Sequence, residues 1–126
     1  MKQTSWLHTA PAALYVAAVF YFGTVPTEPL PAIGSDKVLH FVAFFILEPL
    51  FSWAFSHRLP TVSLARLRGL SVGATILVGA LLEAWQSVLP HRSSELLDLA
   101  ADALGALLAA GIGALLAKRR GRERSY

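Results

Sequence analysis

Eight side chains able to bind a ligand or move a proton lie within or at the mouths of apolar stretches: Asp36, Lys37 and His40, then Glu83 and Gln86, then Arg92, then Asp98 and Asp102. Asp36 and His40 are four apart, as are Asp98 and Asp102, and Glu83 and Gln86 are three apart, so on helices each pair shares a face. Charged groups at a bilayer centre cost about 2.5 to 3.5 kcal/mol each on insertion scales, so they persist where they have a partner or a function. His40, Glu83 and Asp98 carry the imidazole and carboxylates used in acid–base or metal-assisted catalysis and are the catalytic candidates. Asp36, Lys37, Gln86, Arg92 and Asp102 are candidate ligand-binding residues, with Lys37 and Arg92 suited to an anionic group. In a low dielectric Glu83, Asp98 and Asp102 either take up protons or recruit cations, a divalent ion among them. The alternative is purely structural: the same pairs would lock three helices together.

Four apolar stretches must position these groups. They predict helices over residues 6–24, 36–56, 68–89 and 95–117, each near the roughly 20 residues needed to cross a bilayer. The expectation is an all-α, integral membrane four-helix bundle forming a single domain over residues 1–126, with a basic tail at 118–126. The first stretch follows Lys2 like a signal peptide, but bulky Tyr21 and Phe22 spoil a small-residue cleavage site, so it is expected to stay attached. Pro26, Pro29 and Pro31 predict an extended link after it. Ser35 with Asp36, and Ser94 with Glu95, are expected to cap helices two and four. Gly69 and Gly73, and Gly105, Ala109 and Gly113 at four-residue spacing, predict close helix packing within the chain. Trp6, Trp53 and Tyr21 are expected as interfacial anchors. Glu48, mid-membrane on the His40 face and just before the helix-bending Pro49, could join the cluster.

Of 126 residues, 55% are hydrophobic and 15% charged, which is a membrane composition with no room for a separate soluble domain. The net charge of +3 arises from basic residues in short loops and a tail beside apolar segments, so it speaks for orientation and against nucleic-acid binding. Lys2, Arg58, Arg66, Arg68 and five basic residues after Ala117 fall on one side; only Lys37 and Arg92 fall on the other. Both termini are therefore expected in the cytoplasm, with the loops after helices one and three, and hence the whole polar cluster, facing outward. The absence of cysteine excludes disulfide and zinc-thiolate chemistry. Ser93 and Ser94 near His91 are better read as caps than as nucleophiles, and nothing resembles a nucleophile elbow or a phosphate loop.

At these residues the chain resembles the VanZ-like family of small bacterial membrane proteins, named for a teicoplanin-resistance factor. The resemblance runs over nearly the whole chain and rests on Asp36-Lys37 with His40-Phe41, on Glu83 with Gln86, Pro90 and Arg92, and on Asp98 and Gly105. Asp102 departs from it, since Asn is more usual there. The resemblance implies a multi-pass protein of the bacterial plasma membrane linked to glycopeptide resistance or envelope biology. Three functions remain open on these residues. One is a binding protein for a lipid-linked envelope precursor or a lipoglycopeptide, its acyl tails between the helices. Another is a metal-dependent or acid–base hydrolase of a lipid-linked substrate. The third is a proton-coupled transporter using Glu48, which at four helices would need to oligomerise.

Overall fold

A computed structural model describes residues 5–26 and 35–123, and every secondary-structure element within them is an α-helix. Helix α1 spans Ser5–Thr24, α2 Ser35–Arg58, α3 Leu64–Ser87 and α4 Leu96–Glu123. The expected extended course at Pro29 and Pro31, and the Ser35 side chain as a cap, lie outside the described residues.

The helices are apolar on the outside and polar within. Leu14, Leu77, Leu81, Leu104 and Leu107 are exposed, while His40, Glu48, Glu83, Gln86, Asp98 and Asp102 are buried. In water that distribution would forfeit the hydrophobic driving force; against lipid tails it is the stable one. By length and apolarity α2, α3 and α4 can cross a membrane. Helix α1 is 20 residues long, and His8, Thr9, Pro11 and two tyrosines interrupt its apolar run.

Packing is tightest between α2 and α4, where Gly105 is indispensable: a Cβ there would run into the Phe41 carbonyl oxygen and lie 2.9 Å from the Phe45 nitrogen. Ala109 is buried as well, but the other glycines of the predicted stripes are not points of close contact. At Gly69, Gly73 and Gly113 an added Cβ would meet nothing within 4 Å, which corrects the expectation of close approach there. Helix α1 leans on α2 and, more lightly, on α3, with Tyr15, Val16, Val19 and Phe20 covering a core of Phe44, Leu47 and Leu82.

Helix ends are set by local chemistry. Helix α3 starts at Leu64, four residues before the expected 68, because Ser63 takes an extended backbone and its hydroxyl accepts the Arg66 amide hydrogen. Helix α4 continues to Glu123, so Lys118 to Arg122 form its last turns rather than a separate tail. Lys and Arg are good helix formers, and their charge suits a C-terminal dipole. At 28 residues α4 is about 42 Å long, exceeding a hydrocarbon core of about 30 Å, so its basic end can stand clear of the lipid.

Candidate functional site

The opening turns of α2, the closing turns of α3 and the opening turns of α4 meet at one end of the bundle. They bring His40, Glu83, Asp98 and Asp102 together from segments far apart in sequence. His40 Nδ1 lies 2.9 Å from Asp102 Oδ1 and 3.8 Å from Glu83 Oε1. Asp102 accepts only if Nδ1 carries the proton, which leaves the neutral ring's Nε2 as a free lone pair. Asp98 Oδ1 is 3.3 Å from Lys37 Nζ, close enough for charge compensation but not aligned to accept a hydrogen bond. Lys37 Nζ makes its shorter contact, 2.7 Å, with Glu95 Oε2. That pair is half-exposed and contributes little to stability. The His40, Asp102 and Glu83 side chains are buried, so there the loss of a partner is expensive.

Two features hold the acids in place that sequence spacing did not announce. Gly79 on α3 has no side chain because Asp102 fills the space: an added Cβ would sit 2.7 Å from Asp102 Oδ2. Ser94, expected to cap α4, instead donates its hydroxyl to Glu83 Oε2 at 3.0 Å, and the Glu95 amide donates to the same oxygen at 3.2 Å. The backbone carbonyl of Glu95 opens α4 by accepting from the Asp98 amide, so Glu95 both starts the helix and pairs with Lys37. The Glu83 carboxylate is a strong acceptor facing the loop, so it takes both the Ser94 hydroxyl and the Glu95 amide as donors.

Gln86 and Arg92 are engaged elsewhere. Gln86 Nε2 donates to the Gly23 carbonyl, and Arg92 Nη2 donates to the carbonyls of Phe22 and Val25. His91 Nε2 contacts the Thr24 carbonyl at 2.7 Å, and Trp85 Nε1 donates to the Thr24 hydroxyl. A helix leaves its last carbonyls without partners, and the α3–α4 connection supplies them to α1. Arg92 is thus first a clamp on α1, with its buried Nε still without an acceptor.

Between α1, α2 and α3 this clamp leaves a cavity of about 440 Å³. Its walls are apolar, including Val19, Phe22, Leu39, Phe44 and Leu82, and Asp36, His40, Gln86 and Arg92 also line it. Of the eight sequence candidates, His40, Glu83, Asp98, Asp102 and Lys37 form the contacting cluster, Asp36 lies beside it, and Gln86 and Arg92 border the cavity. The wall residues could not be told from lipid-facing ones by sequence, since both are apolar.

Two sets of side chains could share a cation: His40, Glu83 and Asp102, and Asp36, His40 and Asp98, each with its ligand atoms within 4.8 Å of one another. Glu83 Oε1, Asp98 Oδ1 and Asp102 Oδ2 are buried without a hydrogen-bond donor. Unsatisfied carboxylate oxygens around one imidazole suit a cation or a proton. Glu48 stands apart. Its Oε1 accepts from Ser52 and Ser71, and among the described residues no hydrogen bond joins it to the His40 cluster.

The profile of the VanZ/LLP1 family matches residues 4–117. An uncharacterized protein of Schizosaccharomyces pombe, C11E3.10, is 34% identical over 95% of this chain and 75% of its own length. With a fission yeast relative of this similarity, family membership alone does not assign a bacterial source. No solved structure matches the chain.

Proposed function

The chain belongs to the VanZ/LLP1 family, and from that membership and the geometry above we propose that it binds an amphiphilic cell-envelope component within the membrane, tail in the α1–α2–α3 cavity and polar end at His40. One observation carries this: an apolar space of about 440 Å³ that also has Asp36, His40, Gln86 and Arg92 in its lining. Apolar walls with a few convergent polar groups are the usual form of a binding site, and here the ligand can enter from the lipid itself. A lipid-linked precursor or a lipoglycopeptide has the required two-part chemistry. The polar end faces outward in a bacterial plasma membrane, and the protein lowers sensitivity to teicoplanin. Ala18 lines the cavity, so Ala18→Phe fills it from α1. The purified variant should lose the lipid that co-purifies with the parent, read by mass spectrometry, and cells expressing it should lose any teicoplanin protection. Lipid content equal to the parent's would refute the binding site.

A second reading, hydrolysis of the bound molecule, has its own support in the His40–Asp102 pair and the donor-free oxygens of Glu83 and Asp98. Asp102 would fix the His40 tautomer so that Nε2 accepts a proton from water, and the carboxylates would hold a divalent ion that polarises the substrate. Dialysis against zinc or magnesium followed by elemental analysis tests it. The parent should retain an ion that His40→Gln loses; a parent free of bound ion, with lipid-linked phosphates left intact on incubation, would eliminate this chemistry.

A further inference from the structure

The acid left unexplained by the His40 cluster is Glu48, which is 2% exposed. Both of its close contacts fall on one oxygen: Ser52 Oγ donates to Oε1 at 2.7 Å and Ser71 Oγ at 2.6 Å. No donor reaches Oε2 among the described residues. A carboxylate at this depth is a costly group to keep, and a proton or a cation relieves it.

Glu48 lines a second cavity, of about 240 Å³, between α2, α3 and α4. The space exists because of the small-residue stripe on α4. Ala109, Ala110, Gly113 and Ala117 face it, and the absent Cβ of Gly113 would meet nothing within 4 Å. Small residues that permit no close helix contact leave room instead. Ser52 and Ser56 add hydroxyls on the α2 side, and Arg68 lines the same cavity from α3 with no carboxylate in ion-pair range among the described residues. Ser71 ties the two charges together in space: its hydroxyl reaches Glu48 Oε1 and also lies 3.0 Å from the Arg68 carbonyl. Arg68 therefore sits about one helical turn along α3 from the level of Glu48, toward the end of the helix that carries the basic loop.

A deep anionic site under a cationic rim, one turn apart, is the complement of a ligand with a cationic tip and an anionic group a short tether behind it. We propose that this cavity is a second ligand site that takes a phosphate ester bearing a primary amine, as in an aminophospholipid headgroup, with the ammonium on Glu48 and Ser52 and the phosphate on Arg68. The ammonium supplies the donors that Glu48 Oε2 lacks, and the guanidinium matches phosphate in shape as well as charge. The apolar flank of Leu64, Leu67 and the α4 alanines lets acyl chains leave the site sideways into lipid.

The full-length protein in detergent is titrated with phosphatidylethanolamine, with phosphatidylglycerol of the same tails, and with water-soluble phosphoethanolamine, and retention is read by native mass spectrometry. Phosphatidylethanolamine should bind about tenfold more tightly than phosphatidylglycerol, and Glu48→Gln should remove that preference. Gln keeps an oxygen for Ser52 and Ser71 to donate to, so the fold is conserved. Gly113→Leu, which narrows the cavity from α4 and leaves the Glu48 carboxylate in the chain, should weaken phosphatidylethanolamine binding by a similar factor. Either source of the headgroup supports the site. Full competition by phosphoethanolamine makes the headgroup the whole ligand, and weak competition makes it the lipid. Equal retention of the two lipids by the parent, or a preference that survives both substitutions, overturns the proposal.

Discussion

Asp102 has no freedom to move, since it is fully buried with Gly79 against one oxygen and His40 against the other. Gly79→Ala should therefore destabilise the protein by about 1 to 3 kcal/mol through overpacking, seen as a lowered melting temperature in detergent. Asp102→Ala should also cost about 1 to 3 kcal/mol, by leaving His40 Nδ1 without an acceptor. The double variant should lose clearly less than the sum, because removing the carboxylate removes the obstruction; additive losses would show that the two residues do not meet. At this scale the sequence was most informative about which side chains gather. Burying acids and a histidine in lipid leaves them few places to go, so Asp36, His40, Glu83, Asp98 and Asp102 could be placed together from their spacing and from the alternating direction of the helices that carry them. It was least informative about partners contributed by backbone or by small residues. Arg92 answers the carbonyl ends of α1, and Gly79 is defined by what it lacks; neither leaves a pattern along the chain.

Among the helices, two glycines of identical type make opposite predictions. Gly105 is where α4 touches the α2 backbone, so Gly105→Ala must separate the two helices and should cost about 1 to 3 kcal/mol or more. Gly69 faces open space, and Gly69→Ala should gain roughly 0.5 to 1 kcal/mol from helix propensity. Thermal unfolding of both variants checks the pair; equal effects would place the α2–α4 contact elsewhere. The difference explains why the small-residue stripe misled: four-residue spacing says that a face is smooth, and smoothness serves a close contact or a cavity equally well. Helix existence was legible because lipid forces long apolar runs. The extension of α4 to Glu123 was not, because the sign used to end it, a loss of apolarity at Lys118, marks the membrane boundary rather than the helix boundary.

For the molecule in its membrane, the polar cluster fixes the relative direction of three helices, and the basic residues predict which way the bundle faces. The clustered ends belong to the start of α2, the end of α3 and the start of α4, so these three alternate in direction. The opposite ends carry Arg58, Arg66 and Arg68 and the basic last turns of α4, an arrangement that favours retention in the cytoplasm. The chain contains no cysteine, so single cysteines report sidedness without background. In intact cells a membrane-impermeant maleimide should label Ser93→Cys, beside the cluster, and should reach Thr61→Cys and Arg122→Cys only after permeabilisation. Trp6→Cys then decides what length and apolarity leave open for α1. Protection matching that of Thr61→Cys makes α1 a fourth span, with both termini inside. Labelling alongside Ser93→Cys would mean that α1 does not cross. That result would also contradict the stacking of His8 on His57, which sets the start of α1 at the end of α2 opposite the cluster. If instead Ser93→Cys is protected while Thr61→Cys is labelled, the His40 cluster faces the cytosol, and an outward site for an envelope component is ruled out.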